Sequence, residues 1–270
     1  MSHKVEALPT EISDFRTAST AGGGTALTTS KGLISIPYGS DYLSLTGRNF
    51  SGADVVQFTL SPFLQIVYTV DLLVNNGQEN FTEEFQDGDA TDVTFTAWDT
   101  LANGSALYVG AEVPFRGVAV VVGTTVQTAA RALTIKYPAA VGNWTDIVNS
   151  EGTKVTNDCL QQDGDETWTV PDPWVKASLV QLGATTRKES PYATPMYWTR
   201  WEVDGALTSP FHLRQIRALN RSTAYAELIE GQTAEIGLQD RRVTAVEALT
   251  DTGTANLIVN VGTRSVGGFE

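Results

Sequence analysis

The sequence is short of the residues from which most active sites are built. Its 270 residues include two histidines, His3 and His212, and one cysteine, Cys159. A single cysteine excludes an intrachain disulfide and a cysteine-based zinc site. A Ser-His-Asp or Cys-His arrangement would have to use His3, in a polar segment, or His212, at the start of an expected strand. Neither lies in a nucleophile elbow or a comparable local signature, so His212 reads as an ordinary strand residue. Zinc-protease, Walker and dinucleotide fingerprints are missing too. Ala21-Gly-Gly-Gly-Thr25 has no strand before it and no helix after it to make a phosphate loop.

Charge is also scarce, and basic charge most of all. Charged residues make up 18% of the chain, against roughly 25% in a typical globular domain. There are 18 basic residues against 31 acidic ones, a net charge of −13. Nucleic acid binds largely through counterion release by Lys and Arg, so it is not an expected partner. Anionic membrane surfaces are excluded on the same ground. No apolar run reaches the length of a membrane span. Met1-Ser-His-Lys-Val-Glu6 lacks the basic-then-apolar pattern of a secretory signal, so the expectation is a soluble chain made in the cytoplasm.

What replaces the charges is Thr, Ser, Gly and Asn with much Val and Ala, a mixture that suits strands joined by turns. Alternating runs follow one another: Gly32 to Pro37, Asp41 to Gly47, Val55 to Leu60 and Leu64 to Val74, the last closed by the hairpin signal Asn75-Asn-Gly77. Asp92 to Trp98, Ala106 to Gly110, Gly117 to Gly123, Ala132 to Tyr137, Glu166 to Val170, Tyr197 to Val203, Phe211 to Ala218 and Thr254 to Gly262 continue the series. Gly117-Val-Ala-Val-Val-Val-Gly123 is apolar on both faces and reads as a buried strand. Ser222 to Glu230 fits either a helical turn or a strand. No amphipathic helix longer than about three turns is apparent.

The fold class is therefore mainly β, with two packed antiparallel blocks of sandwich or jelly-roll type. The expected organisation is an extended N-terminal arm over 1–35, a first β block over 36–112, a β-sandwich module over 113–222 and a C-terminal β extension over 223–270. The stretch Ser19 to Ser30 is low in complexity and has little to bury, so it reads as a disordered tail or as an arm that orders against a neighbouring subunit.

Two features carry whatever chemistry there is. Acidic residues crowd Glu79, Glu83, Glu84, Asp87, Asp89 and Asp92, and again Asp163-Gly-Asp165-Glu166. They read as solvated turns, with calcium coordination and a glycosidase-type carboxylate pair as the alternatives. No cofactor is expected beyond that calcium. Four of the six tryptophans, Trp168, Trp174, Trp198 and Trp201, lie close together in sequence. Alternation turns Trp168 and Trp201 inward as core, and puts Trp198 on the opposite face with Arg200, which could stack on it. Trp198 and Arg200 are the candidate interface or ligand contacts.

The order Val113-Pro-Phe-Arg-Gly117, Trp144-Thr-Asp146, Gln162-Asp-Gly164, Trp168-Thr-Val-Pro171, Trp174, Tyr197-Trp-Thr-Arg-Trp201 resembles the β-sandwich structural proteins of tailed-bacteriophage virions and prophages. The resemblance spans about 110 residues, with a looser likeness over 43–110. It implies a non-enzymatic virion protein that binds the major capsid protein or other virion subunits, as a homo-oligomer, in a decoration or cement role. A tail or baseplate component is the alternative. A carbohydrate-binding module reading host glycan through Trp198 is the alternative of another class.

Overall fold

The computed structural model describes residues 12–17, 23–30, 32–36, 40–69, 78–86, 98, 105–123, 127–156, 158–208, 211–219, 226–238 and 243–264. Its described elements are all strands, joined in several antiparallel sheets, so the mainly-β expectation holds. The chain divides into two compact units, one made of Met1–Thr59 with Tyr225–Glu270 and the other of Leu60–Ala224. This division is discontinuous in sequence, unlike the four consecutive segments ending at 35, 112, 222 and 270. The expected hairpin turn at Asn75–Gly77 and most of the expected strand from Asp92 to Trp98 lie outside the described residues.

The first unit holds two sheets. In one, β20 (Thr254–Arg264) lies beside β4 (Tyr42–Ser51), and β4 beside β18 (Thr233–Gly237). Along its other edge β20 pairs with β1 (Ile12–Thr17) and β2 (Thr25–Leu27). The other sheet runs β17 (Ala226–Leu228), β5 (Val56–Pro62), β19 (Val243–Thr250), β3 (Gly32–Ser35). The ambiguous Ser222–Glu230 segment thus supplies a strand in its described part. Leu43, Leu45, Leu257, Val259 and Val261 from one sheet, and Ile34, Val56, Phe58, Val246 and Ala248 from the other, are buried.

In their described parts, the terminal segments expected as an arm and a β extension are strands of the chain's own sheets. An edge strand needs only backbone hydrogen bonds and one covered face, so weak periodicity does not preclude it. Strands β19 and β20 are interior to their sheets; β19 is buried along most of its length, whereas β20 alternates, with Ala255, Leu257, Val259 and Val261 buried between less buried Asn256, Ile258 and Asn260.

The second unit is a sandwich with an added layer. One sheet runs β11 (Asn143–Asp146), β10 (Leu133–Ala140), β15 (Met196–Val203), β8 (Ala106–Ala111), β6 (Gln65–Thr69), β7 (Gln78–Asn80), and the short β14 (Lys176–Ala177) also pairs with β15. The other runs β12 (Asn149–Glu151), β13 (Gly164–Trp168), β9 (Gly117–Val122), β16 (Leu213–Leu219). Between them Ile66, Tyr68, Leu107, Val109, Ile135 and Trp201 meet Val118, Val120, Trp168, Leu213 and Ile216. The period-two face expected at Leu64, Ile66 and Tyr68 is the face that enters this core.

The seven-stranded sheet is covered on its second face too. Leu179, Leu182, Ala184 and Tyr192, from an irregular strap between β14 and β15, pack on Val67, Ala106, Tyr108, Met196 and Trp198. The backbone hydrogen bonds of the strap run within it, as from Leu182 to the Ser178 carbonyl and from Ala184 to that of Leu179. Apolar side chains, not a ladder, hold it to the sheet.

Candidate functional site

Strand β15 carries both sequence-derived candidates, Trp198 and Arg200, on one face. Period two sends Tyr197, Trp201 and Val203 into the sandwich core and Met196, Trp198, Arg200 and Glu202 to the other face. Trp168 and Trp201 are core residues as expected, at 6% and 0% exposure. Trp198 differs from its expected role: it is also at 0% exposure, beneath the strap. Alternation identifies which residues share a face but cannot say whether that face meets water. Segment 178–194, whose sequence has no strand or helix pattern, decides that.

The fit over Trp198 is close. A Cβ added at Gly110, its partner across β8 and β15, would collide with the indole Cε3. Glycine is needed there so that the ring can lie against the backbone. Trp168 Nε1 donates to the Phe115 carbonyl at 3.0 Å, Trp174 Nε1 to the Trp198 carbonyl at 3.1 Å, and Trp201 Nε1 to Thr199 Oγ1 at 2.9 Å. Trp174 also packs against Phe115, Tyr137 and Tyr197, with ring centroids 5.3, 6.4 and 5.8 Å apart. Three of the four tryptophans in that pattern, Trp168, Trp174 and Trp201, thus meet in one cluster inside the sandwich.

Arg200 lies farther along β15, where the strap no longer covers the sheet. It faces Lys136 directly across the β10–β15 ladder, a like-charge opposition that costs stability unless an anion intervenes. Glu202 intervenes. One of its oxygens pairs with Arg200 Nη2 and the other with Lys136 Nζ, the latter at 2.7 Å. Asp146, opposite Lys136 on β11, lies 4.0 Å from the same ammonium. The row Asp146–Lys136–Glu202–Arg200 crosses three strands with balanced charge. Trp144 stands on the same face, its ring 5.6 Å from that of Tyr108. Arg200 is therefore not stacked on an exposed Trp198: it is tied into an ion-pair row.

The acidic turns divide in the same way. Asp87, Asp89 and Asp92 lie outside the described residues, and Glu83 and Glu84 are exposed. In the second cluster Asp163 Oδ1 accepts the Val122 amide at 2.9 Å. Glu166 has no exposed surface, so it belongs to no solvated turn. Among the described residues no three His, Cys, Asp or Glu side chains gather as a metal site would require.

Glu166 is the polar residue that the sequence reading placed in the wrong environment, although the signal was present. It lies two residues before the inward Trp168, so period two puts it on the inward face. Burial pushes its carboxyl above the ordinary glutamate range, opposed by hydrogen bonds from Thr153 and Asn149. Nearby Cys159 is buried and unpaired. Its thiol is pushed up to about 12, chiefly by burial and then by the charges of Glu151 and Asp204. It is a packing residue and is not a thiolate at neutral pH. His212 stands just before β16, its Nδ1 3.4 Å from Arg214 Nη2. No family model, curated protein or solved structure matches this chain.

Proposed function

We propose that this chain is a structural subunit of a bacteriophage virion, a capsid-associated decoration or cement protein that contacts the major capsid protein and further copies of itself. In this reading it is not an enzyme. The observation that carries the proposal is how the chain fastens its own ends. Strand β20 is hydrogen-bonded along one edge to β1 and β2 and along the other to β4, and β19 lies between β3 and β5. A particle protein must keep its shape outside the cell. Here lateral ladders between distant segments supply the cross-linking that disulfides supply elsewhere, in a chain whose one cysteine is buried and free.

The acidic balance supports the same role. A net charge of −13 keeps subunits soluble and apart before assembly, and it disfavours contact with the packaged nucleic acid. The resemblance of the Trp168-to-Trp201 region to phage sandwich modules points the same way. The glycan-binding alternative loses its motive, because Trp198 is enclosed by the chain itself.

The test is quantitative mass spectrometry of purified particles from cells that express the gene. The proposal expects the chain in the particle at a fixed, high copy number. A copy number matching a single small ring would transfer it to the tail or baseplate. Absence from the particles, with the chain left in the soluble lysate, would sink the virion reading.

A further inference from the structure

The excursion between β12 and β13 folds back around one carboxyl group. Glu166 Oε2 accepts a hydrogen bond from Asn149 Nδ2 at 2.7 Å. Its Oε1 accepts from Thr153 Oγ1 at 2.6 Å and from the Thr153 amide at 3.3 Å. The Thr153 hydroxyl in turn accepts the Leu160 amide at 3.3 Å. The amides of Gln161 and Gln162 donate to the Thr153 carbonyl at 2.9 and 3.2 Å, and that of Gly152 to Asp165 at 2.9 Å. Glu166, Thr153 and Leu160 are all fully buried.

The backbone these bonds hold is costly. Thr156 and Leu160 stand at φ of 60° and 55°, the left-handed region that non-glycine residues rarely enter. Such conformations persist only where surrounding contacts over-determine them, and for Leu160 those contacts reach Glu166 through Thr153. At the tip, Val155 and Asp158 form an isolated bridge, and Val155 is exposed.

We propose that Glu166 is a proton-sensitive latch on the 149–162 excursion, holding it closed more firmly when protonated than when ionised. An ionised carboxylate in this position collects three hydrogen bonds but gives up its hydration. A protonated one has less hydration to lose, and the Asn149 amide can turn its oxygen to accept the acid proton. Other charges bear on it from each side. Glu151 is its cross-strand partner on β12 and is ion-paired with Lys154 at 2.9 Å. Asp165 adjoins it on β13, and Asp158 and Cys159 lie on the excursion. On β9 its partner is Val118, and that strand has no titratable residue.

The sign follows from linkage. A buried carboxyl raised above its unfolded range contributes stability that is complete below the unfolded pKa and is lost as pH rises through the folded one. Opening of the excursion therefore becomes easier toward higher pH. The latch sets how firmly the Val155 tip is presented.

Native-state hydrogen exchange on the full chain tests this, read at the Thr153 and Leu160 amides and corrected for intrinsic exchange. The wild type should show an opening constant that rises with pH, by up to about tenfold per unit between the unfolded and folded pKa values. Glu166→Gln should be flat. Thr153→Val keeps the carboxyl but removes a donor to the ionised form, so its rise should continue to higher pH before levelling off; it serves if Glu166→Gln fails to fold. Glu151→Gln should keep the onset of the rise and end it at lower pH. A flat wild type, a Glu166→Gln variant with the wild-type slope, or a rise abolished by Glu151→Gln would each overturn the latch.

Discussion

At the scale of single residues, Trp198 and Arg200 show how differently two neighbours on one face can be placed. Trp198 fills space under the strap, so Trp198→Ala should cost about 3–5 kcal/mol of unfolding free energy, read by chemical denaturation. Near-neutral behaviour would mean that the indole is not enclosed. Gly110→Ala should cost about 1–3 kcal/mol, because the added methyl meets the ring and a packed core does not yield freely. Arg200→Ala should cost about 1 kcal/mol or less, since its ion pair is partly exposed to water. Glu166 and Asp251 pull the pH dependence in opposite directions. Asp251 accepts the Val55 and Asp54 amides at 3.2 and 3.1 Å, and backbone N–H donation, from Val55 foremost, holds its carboxyl below the usual range. Its contribution is present above the unfolded aspartate pKa and lost as pH falls through the folded one. Asp251→Ala should therefore flatten the acid side of a melting-temperature profile, whereas Glu166→Gln should alter the side above it.

Among the elements, the strap between β14 and β15 invites the most direct experiment. Residues 186–190 are all exposed, between buried Ala184 and Thr185 on one side and Pro191 and Tyr192 on the other. Arg187 and Lys188 stand in that run, with Arg187 over the Tyr192 ring at 5.7 Å. Exposed polar loop tips are where proteases cut first. Limited trypsin digestion should nick at Arg187 or Lys188 before other described sites, and the two fragments should co-elute. The second fragment stays because β15 is hydrogen-bonded to β8, β10 and β14. An initial cut elsewhere, or fragments that separate at once, would contradict the packing described for the strap. β1 and β2 offer a second test. As an arm awaiting a neighbour, residues 1–30 could be removed without loss of stability in the isolated chain. As strands lining β20, their removal should lower the melting temperature of the unit they belong to.

For the whole molecule, the division into a discontinuous unit and an inserted one makes a prediction of its own. Residues 60–224 contain a complete sandwich core, from Leu64 to Ala218. Expressed alone, that segment should unfold cooperatively with β-type circular dichroism. A chain cut after residue 224 should lose the other unit, because β17 to β20 depart with the missing residues. If 60–224 were unfolded in isolation, the two units would not be independent in energy, whatever their separate cores.

The sequence by itself determined the strands and their faces. Alternating runs located eleven of the twenty described strands, including the inward turn of Trp168, Trp201 and Leu64 to Tyr68, but not the interior β19 or most of the short edge strands. The scarcity of His and Cys limited the chemistry available. Local pattern is enough for this because a strand's period belongs to the strand alone. Tertiary structure decided three things that no local pattern contains. Pairing of β1 and β2 with β20 made edge strands of residues read as an arm. An irregular strap, without periodicity of its own, closed over Trp198 and changed it from a surface contact to core. The fold-back of 149–162 turned Glu166 from one acid in a turn into a buried acceptor of three hydrogen bonds. In each case the partner lies elsewhere in the chain, and burial is a property of the pair rather than of the residue.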